Sequence, residues 1–303
     1  MTTDNTEGID IVRSFLADTD LFAGTIDAQR AAMDLAATGA PPPPGVDVEG
    51  ATLGGRPAEW LIPHGVDRTS TVLYLHGGGY CSGSLDSHRG LAGRIALAAG
   101  LPVVSLGYRL APEDPFPAAL DDAVAAYRQL LELGHRPDRL AIMGDSAGGG
   151  LTMASLLALR AEGVPLPAAA ICLSPWVDLT QTADSFREVG DRDPMVSKVE
   201  LDQMAGLYLD GTDPRHPRAS PLFDPDLAGL PPLRIEVGEE EVLLDDSLRL
   251  AERVASAGGT VELLRWPDMI HVFQAFPAEL LPTTGRSLEG IGAFLRTHLV
   301  AGG

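Results

Sequence analysis

One serine lies in a pattern that is typical of a catalytic nucleophile. Residues 140–143 form a short apolar stretch that runs directly into Gly144-Asp-Ser-Ala-Gly148, and small residues typical of a helix start follow. Small neighbours let a strand and a helix cross closely and hold the serine backbone in an unfavourable conformation at a sharp turn. The same turn directs the helix N-terminus and the Ala147 N–H toward negative charge beside Ser146. The pattern therefore predicts a nucleophile at Ser146.

A glycine-rich segment, His76-Gly-Gly-Gly-Tyr80, follows a predicted strand over residues 71–75. Three consecutive glycines cost backbone entropy, which indicates that a ligand or another backbone approaches the main chain closely. An oxyanion hole requires such exposed N–H groups. Neither glycine motif has the Lys-Ser/Thr of a Walker loop or the spacing of a dinucleotide site. The segment therefore predicts an oxyanion hole, with His76 orienting the loop rather than transferring a proton.

A serine hydroxyl needs a base, which is itself oriented by an acid. On α/β-hydrolase scaffolds these residues follow one another in the order serine, acid, histidine. Four of the seven histidines precede Ser146, His216 lies upstream of any acid that follows a late strand, and His298 lies within the last helical pattern. His271 remains, in a loop after a predicted strand over 261–264. We therefore predict His271 as the base.

The acid is expected in the loop after a predicted strand over residues 233–237. Five carboxylates follow within residues 239–246. Asp245 and Asp246 fit the N-terminus of a helix that begins near Ser247. Spacing alone does not choose among the three glutamates at 239–241.

Strands that alternate with helices of ten or more residues would position these loops. This alternation predicts a mainly parallel sheet covered by helices on both faces. The predicted strands are 58–62 and 71–75 as an opening pair, then 101–106, 140–143, 168–173, 233–237 and 261–264. The predicted helices are 119–133, 147–162, 247–257 and 288–299.

Two segments depart from this alternation. Residues 1–45 carry apolar positions at helical spacing and end in a run of four prolines, which predicts two or three short helices. Residues 178–232 are rich in Asp, Pro and Arg, with one helical piece near 199–209. Long irregular insertions in compact domains usually form lids or binding elements. We expect one domain over residues 1–303, with a helical cap built from both segments.

Composition limits the partners. The formal net charge of −20 would repel nucleic acid and anionic lipid. The two cysteines are too few for a structural zinc site, so no metal is expected. The N-terminal residues lack a basic segment followed by an apolar core, and no apolar run approaches the length of a membrane span. We expect a cytoplasmic protein with no membrane span, and a homodimer is compatible with the sequence.

Four motifs together resemble the hormone-sensitive-lipase-like family of serine esterases within the α/β-hydrolases. They are His76-Gly-Gly-Gly-Tyr80, Gly107-Tyr-Arg-Leu-Ala-Pro-Glu113, Gly144-Asp-Ser-Ala-Gly-Gly149 and His271-Val-Phe273, in the order of the family. The resemblance implies an α/β-hydrolase fold and an N-terminal helical cap. It also implies a carboxylesterase without a cofactor that acts on short- or medium-chain esters.

The resemblance also assigns residues. It places the nucleophile at Ser146, the base at His271 and the oxyanion donors at Gly78, Gly79 and Ala147. The acid falls on Glu241, with Glu240 as the next candidate, although the family usually has Asp in an Asp-Pro-Leu context. Tyr108, Arg109 and Asp145 would support the glycine loop and the serine turn.

Two alternative functions remain at this point. A lactone hydrolase or an amide deacetylase would use the same three residues. A non-catalytic ligand-binding protein on this scaffold would be expected to lose the base, and His271 is present.

Overall fold

A single eight-stranded sheet forms the centre of the protein, as described by a computed structural model over residues 6–19 and 21–299. The strand order is β1-β2-β4-β3-β5-β6-β7-β8; β1 and β2 run antiparallel to their neighbours and the others pair in parallel. The strands are β1 Val46–Leu53, β2 Arg56–Pro63, β3 Thr71–Leu75, β4 Val103–Leu106, β5 Leu140–Asp145, β6 Ala169–Leu173, β7 Leu233–Gly238 and β8 Val261–Trp266.

Helices cover both faces of the sheet because successive side chains of a strand point to opposite sides. In β3, Leu73 and Leu75 join one apolar cluster, whereas Val72 and Tyr74 join the other. The helices are α1 Thr6–Thr19, α2 Ile26–Ala37, α3 Leu85–Ala99, α4 Ala118–Glu132, α5 Ala147–Ala161, α6 Ser185–Glu188, α7 Lys198–Leu209, α8 Leu244–Ser256 and α9 Pro282–Leu299. Helices α4, α5 and α8 pack on one face and α3 and α9 on the other.

The predicted sheet is present, but some strands and helices differ from the prediction. The segments 58–62 and 71–75 are both strands, but they do not pair with each other, because β4 lies between β2 and β3. Strand β1 and helix α3 were not predicted. Helices α8 and α9 begin before the predicted residues 247 and 288, at Leu244 and Pro282.

Helix α3 escapes prediction because glycines interrupt its apolar pattern. They are required by close packing: a Cβ at Gly90 would lie 1.8 Å from the carbonyl oxygen of Ala40, and one at Gly93 would lie 3.1 Å from Pro42. Both contacts come from the chain segment that leaves α2. Glycine lowers helix propensity, so packing overrides local preference here.

The segments predicted to form a cap contain α1, α2, α6 and α7. Residues 1–5 and 20 of the first segment lie outside the described residues. Helix α2 is attached by Arg30, which donates to both Glu113 carboxylate oxygens at 2.9 and 2.7 Å and to the carbonyls of Cys81 and Ala111 at 2.9 and 3.0 Å. Helix α7 begins with a reciprocal capping box between Ser197 and Glu200. No helix within residues 6–19 and 21–299 is long and apolar enough to cross a membrane.

Candidate active site

Ser146 lies at the turn between β5 and α5 with φ 53° and ψ −121°, a conformation that non-glycine residues rarely adopt. Hydrogen bonds hold it there: its N–H donates to Leu173 at 2.8 Å, and its carbonyl accepts from Trp176 at 2.9 Å. A Cβ at Gly148 would lie 2.0 Å from the Leu75 carbonyl oxygen. The strained turn therefore exists only because backbone approaches backbone without intervening side chains.

The glycine loop after β3 presents two unusual residues. Gly78 has φ 109° and Gly79 has φ 61°. A Cβ at Gly78 would lie 2.3 Å from the Ser82 carbonyl oxygen. The Gly77 N–H donates to the Asp145 carboxylate at 3.1 Å. By contrast, the N–H groups of Gly78, Gly79 and Ala147 donate to no described residue, which the predicted oxyanion hole requires.

His76 and its neighbours support the loop. Burial lowers the pKa of His76 to about 3, with a smaller effect from His88, so the ring is neutral at physiological pH. Its Nδ1 lies 2.8 Å from the Gly77 carbonyl, and its ring stacks on Tyr108 at 4.2 Å. The Tyr108 hydroxyl donates to the His76 carbonyl at 2.6 Å. This geometry fits the predicted orienting role and offers no route for proton transfer.

The three predicted supports differ in position. Tyr108 holds the glycine loop, and Asp145 holds both the Gly77 N–H and the Tyr74 hydroxyl. Arg109 instead pairs with Asp122 of α4 at 2.8 Å, so it contacts neither the loop nor the serine turn.

A buried carboxylate–imidazole pair lies at the next two loops. Glu241 Oε1 lies 3.1 Å from His271 Nδ1, and the Glu241 side chain is fully buried. Its other oxygen accepts from the Ser174 hydroxyl at 2.8 Å and the Gly238 N–H at 2.9 Å. Glu240 instead forms an ion pair with Arg192 at 2.9 Å. Of the glutamates that spacing left open, Glu241 is therefore the one that contacts the imidazole.

The electrostatic surroundings favour the charged form of His271. Burial by itself lowers the pKa of the ring, but the charge and hydrogen bond of Glu241 raise it, and Asp193 and Asp145 add to this. The net effect raises the pKa of His271 above its usual 6.5. Such a ring is well suited to accept a proton and hold it beside a carboxylate.

Two residues that were missed in the sequence organise this pair. The Ser174 hydroxyl donates to Glu241 and accepts from the Val272 N–H at 3.1 Å, so it joins the loops of acid and base. Arg94 of α3 donates to the Gln274 and Ala275 carbonyls at 3.2 and 2.7 Å, just after the histidine. Neither lies in a recognisable motif. Only the position of Ser174 directly after a buried strand could have drawn attention to it.

The aspartates after the acid have a different function from the predicted one. Asp245 and Asp246 do lie in the first turn of α8, but their carboxylates contact the insertion. Asp246 accepts from the N–H groups of Val177 and Asp178 at 2.9 and 3.0 Å, and Asp245 accepts from that of Ser185 at 2.8 Å. They therefore attach the insertion, and the residue before it, to the first turn of α8.

Ser146, His271, Gly78 and Gly79 line one cavity of about 400 Å³. The rest of its wall is mainly apolar and comes largely from α1, α2 and α7, which we call the covering helices. Their contributions include Val12, Phe15, Leu16, Met33, Ala36, Leu201 and Met204. Ala147 is fully buried behind Ser146 and is not part of the wall.

Large side chains near the predicted site are divided between the cavity and the core. Phe22 and Met195 line the cavity. Tyr80, Trp176, Tyr208 and Phe223 do not. Tyr80 stacks on Tyr208 of α7 at 3.8 Å and lies 6.0 Å from Trp176, all fully buried. These rings join the glycine loop to α7 rather than forming a binding wall.

Comparison with known proteins agrees with this geometry. A family model described as alpha/beta hydrolase fold matches residues 72–275. An acetyl-hydrolase of Streptomyces hygroscopicus is 51% identical over 255 residues, which cover 84% of this chain and 83% of that protein. A crystal structure of an esterase from the bacterial hormone-sensitive lipase family superposes with a TM-score of 0.94 at 44% identity, covering 99% of this chain and 100% of that one. The chain belongs to the hormone-sensitive-lipase-like esterases of the α/β-hydrolase family.

A further solved structure is similar over nearly the whole chain. The crystal structure of EstE5 soaked with p-nitrophenyl butyrate has a TM-score of 0.91 at 43% identity, covering 97% of this chain and 99% of that one. The predictions of the α/β-hydrolase fold, of the esterase family and of a carboxylic ester hydrolase are confirmed.

Proposed function

We propose that this esterase hydrolyses short- to medium-chain carboxylic esters through an acyl-enzyme on Ser146, with His271 as base and Glu241 as the acid of the triad. The observation that carries the proposal is the buried Glu241–His271 pair beside a cavity that Ser146, Gly78 and Gly79 also line.

In this mechanism Ser146 attacks the substrate carbonyl while His271 accepts its proton. Glu241 holds the ring by its Nδ1 and stabilises the imidazolium, as the raised pKa of His271 indicates. The N–H groups of Gly78, Gly79 and Ala147 receive the negative oxygen that forms. His271 then gives the proton to the leaving alcohol. It next activates the water that hydrolyses the acyl-enzyme and releases the carboxylic acid product.

The covering helices supply the cap in this proposal. Their apolar side chains bury the acyl chain, and each buried methylene contributes about 0.8 kcal/mol. A cavity of about 400 Å³ suits small substrates. The p-nitrophenyl butyrate with which EstE5 was soaked is a short-chain ester and is the first substrate to test.

The experiment compares Ser146→Ala with the wild type on p-nitrophenyl butyrate. We expect a loss of kcat of about 10⁴-fold or more, because no other group forms the acyl-enzyme. Ser155→Ala is the matched control: this buried serine lies on α5, the helix that follows Ser146, and only donates to the Leu151 carbonyl at 2.7 Å. Undiminished turnover in Ser146→Ala would refute the proposal. Labelling of the wild type by a fluorophosphonate would separate an enzyme from a ligand-binding protein.

An amide deacetylase is the second candidate, favoured by the name of the 51% identical acetyl-hydrolase, which does not specify the acetylated atom. The same triad would cleave an N-acetyl group. A panel of acetate esters, acetamides and lactones, each compared by kcat/KM, decides between them. The homodimer and the cytoplasmic location stay predictions.

A further inference from the structure

Asp193 connects the insertion to the loop that holds the triad acid. It lies between α6 and α7, and one of its carboxylate oxygens accepts from the N–H groups of Met195 and Val196 at 2.9 and 3.0 Å. Its other oxygen accepts from the Val242 N–H at 2.9 Å. Val242 directly follows Glu241. One side chain therefore holds both a turn of the insertion and the acid loop.

The two ends of this connection have separate functions. Met195 and Val196 are part of the cavity wall, so the turn that Asp193 closes shapes the space for substrate. Glu241 orients His271 through a 3.1 Å contact. A change in the cavity wall would thus be transmitted to the acid loop through the Asp193 carboxylate.

The charge of Asp193 also acts on the base. Burial raises the pKa of Asp193, while the positive form of His271 lowers it. Reciprocally, Asp193 is the second carboxylate, after Glu241, that raises the pKa of His271. Other charged or titratable groups nearby are Asp145, with His88 at 3.4 Å, and the ion pair of Arg192 with Glu240. Arg13 of α1 donates to the Arg192 carbonyl at 2.7 Å, and Glu200 of α7 lines a small pocket together with Asp193.

We propose that Asp193 is a positioning residue for the reaction: it fixes the cavity wall and the Glu241 loop in one arrangement and places a second negative charge beside the His271–Glu241 pair. The inference rests on the proposed function. The sequence offers no motif for it, since Asp193 lies in an acidic stretch, Asp191-Arg-Asp193, whose members look equivalent.

The test measures the pH profile of kcat/KM on p-nitrophenyl butyrate for Asp193→Asn. Removing the negative charge lowers the pKa of His271, so the acid limb of the profile moves to lower pH than in the wild type. Asp191→Asn is the matched control, because it removes the same charge from an exposed position two residues away. It should leave the acid limb in place.

Two further variants separate charge from position. Asp193→Glu keeps the charge but displaces the carboxylate. The acid limb of its pH profile should therefore stay at the wild-type pH while kcat falls. Asp193→Ala removes both, and misplacing the acid loop costs up to about 100-fold in kcat. Equal acid limbs in Asp193→Asn and the wild type would overturn the proposal, and so would an Asp193→Ala variant with unchanged kcat.

An NMR titration of the His271 ring makes the test independent of activity. The ring should titrate at lower pH in Asp193→Asn than in the wild type and in Asp191→Asn. If the wild type is inactive but the His271 ring titrates at lower pH in Asp193→Asn, the proposed function is refuted and the electrostatic coupling between Asp193 and His271 still holds. An active wild type without the shift would refute the coupling alone.

Discussion

The loops at the carboxyl edge of the sheet and the covering helices build opposite sides of the same cavity in different ways. At the loops, backbone atoms set the geometry: a Cβ at Gly144 would lie 2.3 Å from the Gly148 carbonyl oxygen, and one at Gly148 would lie 2.0 Å from that of Leu75. On the helices, flexible apolar side chains form the wall. The proposed chemistry thus depends on positions that tolerate almost no change, and the proposed specificity depends on positions that tolerate many.

The largest effect on kcat is expected in the loop after β7, where two adjacent glutamates differ in their contacts. Glu241→Gln should lower kcat by about 10³- to 10⁴-fold, because the amide can present N–H to His271 and favour the wrong tautomer, as in other serine hydrolases. Glu240→Gln breaks only the ion pair with Arg192 and should change kcat by less than about threefold. Steady-state kinetics on p-nitrophenyl butyrate measures both. Similar losses in the two variants would contradict the assignment of the acid.

A pair of glycine substitutions tests the difference in tolerance directly. Gly148→Ala should destabilise the fold by about 3 kcal/mol or more, because its Cβ would collide with backbone oxygens that cannot move aside. Gly206→Ala in α7, where nothing lies within 4 Å of the added Cβ, should stabilise it by about 0.5–1 kcal/mol. Denaturant unfolding measures both free energies. Equal denaturation midpoints for the two variants would show that the two positions tolerate a Cβ equally well.

The smallest effect concerns chain-length preference. Met204 of α7 lines the cavity and packs against Gly79, where a Cβ would lie 2.0 Å from its sulfur. Met204→Ala enlarges the space beside the oxyanion loop, so kcat/KM for the octanoate ester relative to the butyrate ester should rise by about fourfold for each extra methylene buried. Leu35→Ala, which shortens an exposed side chain of α2 outside the cavity wall, is the control. An unchanged ratio would show that Met204 does not limit the acyl chain.

The same contrast explains what could be predicted from the sequence. Ser146 was predicted as the nucleophile because a strained turn needs small residues at fixed spacing, and His271 was predicted as the base from the chain order. Glu241 required the family resemblance, since three consecutive glutamates have the same local context. Their different surroundings, a buried imidazole for Glu241 and Arg192 for Glu240, arise only in the folded chain.

The parts that escaped prediction depend on contacts between distant segments. Ser174 and Val272 are 98 residues apart, and nothing local marks their hydrogen bond. Helix α3 was missed because its glycines serve packing against the segment after α2. For a related reason the sequence does not say which aromatic residues line the cavity: an aromatic side chain fills a core or a cavity equally well, and only its neighbours distinguish the two.

The stacked rings of Tyr80 and Tyr208 have a consequence for how such enzymes diversify. Because α7 touches the glycine loop after β3 through these rings and through Met204, the insertion that contains α7 is not an independent module. Grafting the corresponding insertion from a relative would replace the residue that stacks on Tyr80. The chimera would then have a misaligned glycine loop unless both tyrosine positions were transferred together.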